Sequence, residues 1–70
     1  MAADIRVRFG RRVRALRVER GLSQEALADA ADLDRSYVGG VERGARNISL
    51  VNIERLAKAL RVVPAELLEI

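Results

Sequence analysis

The segment from Leu22 to Gly44, LSQEALADAADLDRSYVGGVERG, restricts the fold more than any other stretch of the chain. It reads as a short helix, a tight turn and a second short helix. Ser23 is a good N-cap, and Gln24 and Glu25 fill the first turn after it. Leu27 and Ala30 are expected to face inward, while the small Ala26, Ala28 and Ala31 let another helix cross closely. Asp32 and Leu33 make the turn. Asp34 then caps the second helix, expected from Arg35 to about Glu42, with Val38 and Val41 toward the core. Gly44 ends it, where a left-handed residue is favoured. Gly39 and Gly40 lie inside this helix and would cost an exposed helix about 2 kcal/mol. The pair marks either a loose surface or a close approach of the backbone to a ligand. A stable scaffold must hold such a helix in place.

The flanks read as that scaffold. Over residues 4–20, Ile5, Phe9, Val13 and Leu16 recur at helical spacing on one face, and arginines take most other positions. Gly10 weakens this helix by about 1 kcal/mol relative to Ala. Gly21 follows as terminator. Beyond a loop at 45–48, Ser49 caps a fourth helix running to about Arg61, with Leu50, Ile53, Leu56, Ala57 and Leu60 as its apolar face. Pro64 opens a short fifth helix, AELLEI, at the chain end. No repeat, low-complexity tract or linker divides the sequence. The expectation is one all-α domain over residues 1–70, with the helix–turn–helix at 23–43 and supporting helices at 49–70.

A chain of 70 residues buries a modest core, so it depends on efficient helix packing, a partner chain, or both. Cysteine and histidine are absent, which excludes disulfides and the usual zinc sites, and no metal or cofactor is expected. Neither a signal-like apolar run nor a membrane-length one occurs, so a soluble, cytoplasmic protein is expected. Catalysis is not expected. There is no glycine-rich phosphate loop and no carboxylate cluster on one helix face, and Asp32 and Asp34 belong to a turn and a cap. The net charge of +3 is unevenly spread: residues 1–20 carry seven arginines against Asp4 and Glu19. Twelve of the thirteen cations are arginine, the better fork for phosphate oxygens and guanine edges. Such charge marks a solvated surface or a polyanion-binding one. Membrane-surface binding by the first helix is the weaker reading, because its polar face lacks aromatic anchors.

Arg14, Arg17, Gly21, Leu22-Ser23-Gln24-Glu25, Leu27-Ala28, Tyr37-Val38 and Val41-Glu42-Arg43-Gly44 form an ordered set. Ser49-Leu50, Leu56, Ala57, Leu60 and the Pro64–Leu67 tail continue it. With this set the chain resembles the Cro/C1-type (Xre-like) helix–turn–helix family of DNA-binding regulators, over about residues 9–68. Within that family, LDRSYVGGVERGARNISL is most similar to the small controller proteins of restriction–modification systems. The resemblance implies a compact five-helix, lambda-repressor-like domain. It also implies that Gln24 clamps the DNA backbone beside the third helix, and that Arg17 and Glu42 form a structural ion pair. Many relatives carry a base-touching side chain at the position of Gly40. Its absence here points to a closer fit in the groove or to reading of DNA shape.

Such motifs lay their second helix in the major groove of double-stranded DNA. Arg35 is the expected base reader, since it can bond bidentately to guanine, with Ser36 and Tyr37 beside it. Tyr37 can equally contact the sugar–phosphate, meet a thymine methyl, or pack in the turn. Ser23, Gln24, Arg43, Arg46 and Asn47 are expected on flanking phosphates. Val51, Val62, Val63, Leu67 and Ile70 exceed what a small monomer needs, so a homodimer is expected. A two-fold dimer sets two recognition helices about 34–36 Å apart. The leading functional expectation is therefore a dimeric transcription regulator on a near-palindromic operator, governing a restriction–modification operon. RNA polymerase is a further candidate partner, through Asp29 and Asp32. The alternative is an antitoxin that neutralises a toxin protein and regulates its own operon.

Overall fold

The computed structural model describes residues 3–70, in which five helices and no strand occur: α1 (Ile5–Glu19), α2 (Gln24–Ala31), α3 (Arg35–Glu42), α4 (Leu50–Leu60) and α5 (Pro64–Leu67). Their starts follow the capping residues. The Asp4 carboxylate accepts from the Arg6 N–H at 2.8 Å, Ser23 Oγ from the Ala26 N–H at 3.0 Å, and Ser49 Oγ from the Asn52 N–H at 3.2 Å. Pro64 opens α5, where its missing N–H costs nothing. The ends follow left-handed residues: Gly21 after α1, Asp32 after α2, Gly44 after α3 and Arg61 after α4. Asp34 departs from expectation. It holds the N-cap position of α3, but its side chain makes no bond to the helix backbone. Its carboxylate instead accepts from the Ser36 hydroxyl at 2.8 Å, a competing partner two residues on.

One apolar core runs through all five helices. Leu27, Leu56, Leu60, Leu67, Val13, Val38 and Val41 are its fully buried members, joined by Phe9, Leu16, Ala28, Ala31, Ile53 and Ala57. Four expectations about facing need correction. Ile5 and Leu50 have the right periodicity but sit in first turns that project past the packed layer, and Leu50 is 82% exposed. Ala30 is exposed, and Ala28 and Ala31 take the buried positions of α2. Leu67 is 0% exposed. It closes the core under α5, so it is not available to a dimer interface. Val62 is half-buried against the same core. Val51, Val63 and Ile70 remain exposed, together with Leu68. α5 also stops at Leu67 rather than running to the chain end.

The crossing of α1 on α3 positions the motif. A Cβ added at Gly10 would penetrate the Val41 carbonyl oxygen and stand 2.7 Å from that of Glu42. Only glycine lets the α1 backbone approach the end of α3 this closely, so its local cost in helix propensity is offset by packing. Gly44 makes the matching approach from the other side. At φ +77°, its missing Cβ would stand 2.7 Å from Val7 Cγ2.

Candidate DNA interface

A charged seam fixes α3 on its scaffold. Arg17, on α1, grips Glu42, the last residue of α3, with two parallel bonds: Nε to Oε2 at 2.6 Å and Nη2 to Oε1 at 3.0 Å. Its third nitrogen, Nη1, donates to the Leu22 carbonyl at 2.8 Å, which ties in the lead-in to α2. The Arg17 and Glu42 side chains are 12% and 3% exposed. The hydrogen bonds from Arg17 to Glu42 raise the guanidinium pKa further above its ordinary value, against the opposing effect of burial. Bidentate geometry and a bond at each of the three guanidinium nitrogens offset the cost of desolvating both charges. Gln24 joins from α2, its Nε2 donating to Glu42 Oε1 at 3.1 Å. α1, α2 and α3 therefore meet at one carboxylate. The bond from Gln24 was not legible in the sequence, since nothing in the spacing shows that the α2 N-terminus abuts the α3 C-terminus.

At the opposite end of α3, Arg35 and Ser36 are exposed. Arg35 makes no hydrogen bond or ion pair among the described residues, so its whole fork is free for a ligand. The Ser36 hydroxyl proton is engaged by Asp34, which leaves its oxygen chiefly an acceptor. Tyr37 is half-buried and packs against the core. Its hydroxyl accepts from Asn52 Nδ2 at 3.1 Å, and the Arg46 guanidinium lies 5.4 Å from its ring centroid. Of the sequence alternatives for Tyr37, packing is the one present in the folded chain.

Gly39 and Gly40 are both buried, and their neighbours are arginines of the chain itself. A Cβ at Gly39 would stand 3.2 Å from Arg43 Nη1 and 3.6 Å from Gln24 Oε1. One at Gly40 would stand 3.1 Å from Arg46 Cγ. The pair is thus neither loose surface nor bare backbone, because each glycine is a berth for an arginine side chain. Arg43, Arg46 and Asn47 are exposed just beyond α3, and Ser23 is exposed at the α2 N-terminus, its oxygen engaged by the cap. α3 and its flanks therefore present Arg35, Gln24, Arg43 and Arg46, and the carboxylate beside them, Glu42, is neutralised by Arg17. Such a surface is suited to an anionic ligand with a readable edge.

The arginines of residues 1–20 behave differently. Arg8 donates to the carbonyls of Ala3 and Ile70, and Arg12 donates to the Glu66 carbonyl at 2.9 Å and reaches Glu69 at 3.5 Å. Arg6 pairs with Asp4, Arg17 with Glu42, and Arg20 approaches Glu19. Only Arg11 and Arg14 of this group have no such partner among the described residues. The positive weight of the N-terminal helix is mostly committed within the fold.

A helix–turn–helix family model matches residues 13–68. The control protein C.BamHI of Bacillus amyloliquefaciens is 49% identical over 70 residues, covering 99% of this chain and 86% of that protein. The crystal structure of the restriction–modification controller protein C.AhdI from Aeromonas hydrophila superposes with a TM-score of 0.88 at 64% identity, covering 89% of this chain and 94% of that one. The controller protein C.Esp1396I has been crystallised as a tetramer with its natural 35 base-pair operator. It superposes with a TM-score of 0.87 at 31% identity, covering 97% of this chain and 90% of that one. Among the described residues, no helix is long and apolar enough to cross a membrane.

Proposed function

The chain belongs to the Cro/C1-type helix–turn–helix family, and from that premise we propose that it is a controller-type transcription regulator that binds operator DNA as a homodimer. The observation that carries the reading is the contrast along α3. One end is locked by Arg17 and Glu42, and the other offers an unpartnered Arg35 to solvent. A rigid helix with a free guanidinium at its first residue is what reading a guanine edge in the major groove requires. Arg35 reads a base, and Ser36 accepts from a neighbouring amino group. Gln24, Arg43, Arg46, Asn47 and the α2 N-terminus at Ser23 hold the flanking phosphates. Tyr37 serves mainly by placing Arg46.

The dimer is supported by the exposed side chains of Val51, Val63, Leu68 and Ile70. Leu68 also borders an open groove of about 140 Å³ whose apolar lining is Ile5, Phe9, Ile48 and Ile53 and whose polar rim is Arg6, Arg46 and Asn47. Two-fold symmetry in the protein would be mirrored by a near-palindromic operator. C.BamHI and C.AhdI are control proteins, which supports a role in regulating a restriction–modification operon from the cytoplasm. Asp29 and Asp32, exposed on α2 and its cap, are the surface offered to RNA polymerase.

Selection of bound duplexes from a random pool tests the reading. It should return a two-fold symmetric site with half-sites about one helical turn apart. Recovery of no preferred sequence at moderate salt would overturn it.

A further inference from the structure

The proposed dimer edge and the recognition helix are tied to the same element. α1 grips the end of α3 through Arg17 and through the close crossing at Gly10. The same helix holds residues 66–70 from another side. Arg12 Nε donates to the Glu66 carbonyl at 2.9 Å, and Arg8 Nη1 donates to the Ile70 carbonyl at 3.4 Å. Four residues separate the two arginines and four separate the two carbonyls, so this segment runs antiparallel along α1 with a guanidinium at each end. Leu68 and Ile70, two of the exposed side chains of the dimer edge, lie on the fastened stretch. α5 cannot orient that stretch by itself. It has four residues, fewer than an isolated helix needs, and past it the Glu69 N–H reaches the Glu66 carbonyl only at 3.4 Å. Leu67 anchors α5 in the core, but apolar burial is non-directional and sets depth rather than rotation. Among the described residues, the directional bonds from the rest of the fold to residues 66–70 are those of Arg12 and Arg8.

We propose that Arg12, supported by Arg8, sets the half-site spacing that the dimer accepts, by fixing residues 66–70 relative to α3 through α1. This rests on the homodimeric DNA-binding reading above and adds to it a specificity determinant outside the residues that meet bases and phosphates. In a two-fold dimer both subunits carry the same tilt, so an error at the edge counts twice in the separation of the two α3 helices. Arg12 is a positioning residue, acting on DNA only through the placement of the edge.

The test uses a duplex recovered from a random pool by the unaltered protein, and copies with one base pair added or removed at the centre of symmetry. One base pair moves a half-site by about a tenth of a helical turn. The unaltered protein should bind each copy roughly tenfold more weakly or worse, the size of a misplaced base contact. Arg12→Ala should show a severalfold smaller penalty. Arg12→Met, which keeps the packing stem without the donor, should do the same, and it carries the comparison if alanine is not tolerated. Arg14→Ala, exposed and unpartnered on the same helix, should match the unaltered protein. A loss of stability alone would weaken binding to all three duplexes by one factor and leave the spacing penalty intact. Sedimentation and urea unfolding accompany each variant. An Arg12 variant that stays folded but no longer self-associates also supports the assignment, because the edge is then lost rather than tilted. An undiminished penalty in both Arg12 variants, or an equal reduction in Arg14→Ala, would overturn it while leaving dimeric binding intact. An unaltered protein indifferent to spacing would instead refute the homodimer reading, and the spacing role with it.

Discussion

α1 and the connection from α3 to α4 are both rich in arginine, and their arginines meet opposite fates. On α1, Arg8 and Arg12 are bonded to carbonyls of the chain ends, Arg6 to Asp4, and Arg17 to Glu42 and Leu22. At α3 and beyond, Arg35 and Arg43 have no carboxylate within reach among the described residues, and Arg46 rests on an aromatic face. The difference lies in what surrounds each side chain. A guanidinium beside backbone carbonyls outside its own helix becomes a staple. One beside glycines and an already neutralised carboxylate stays available. Net charge along the sequence therefore peaks on a helix whose arginines are mostly bonded within the fold, while the unpaired guanidinium of Arg35 lies on a segment with fewer arginines.

The comparison can be broken at several points, in falling order of effect. Arg17→Ala leaves Glu42 buried without a counter-charge and should cost about 3–5 kcal/mol in urea unfolding. A loss below about 1 kcal/mol would mean that the seam is not what holds α3. Gly10→Ala forces a methyl group against backbone carbonyls, which cannot swing aside. It should cost about 1–3 kcal/mol despite alanine's better helix propensity. Thermal melting equal to the unaltered protein would contradict the tight α1–α3 crossing.

Arg12→Ala removes a half-buried bond to the Glu66 carbonyl and should cost about 1 kcal/mol. Arg14→Ala, on the same helix and without a partner, should be neutral to within about 0.5 kcal/mol. Equal effects from the two would erase the distinction between committed and free arginines. The smallest effect belongs to Asp4. Hydrogen bonds from the Arg6 side chain and then its backbone N–H hold the carboxyl below its ordinary value of 3.8. A group lowered on folding stabilises above its unfolded value and loses that contribution as pH falls through its folded one. Melting should therefore drop slightly below about pH 4, and Asp4→Asn should remove that part of the drop. An unchanged acid profile would sever the link to the cap.

Much of this was legible in the sequence, for physical reasons that also mark where legibility stops. Caps and terminators act within a few residues, so Ser23, Ser49, Pro64 and Gly44 located the helices. Arg35 was legible as free because a first-turn residue of a helix set on a scaffold points outward. Periodicity gave the apolar face of each helix but not its depth. Leu50 and Ile5 lie on the right face beyond the reach of the core, and of the adjacent Leu67 and Leu68 it is Leu67 that is buried and Leu68 that is exposed. The packing of Gly10 and the bond from Gln24 to Glu42 are not legible in the sequence for a different reason. Their roles exist only where two helices cross, and local propensity carries no record of a partner that is distant in sequence.

The most direct test is to repeat the selection of bound duplexes with Arg35→Ala beside the unaltered protein, with urea unfolding as a control. The variant should fold with unchanged stability and lose its preference for guanine at one position of each half-site. The discrimination lost there should be about 1–3 kcal/mol. If base preference and affinity both survived the loss of Arg35, α3 would not be the reading element.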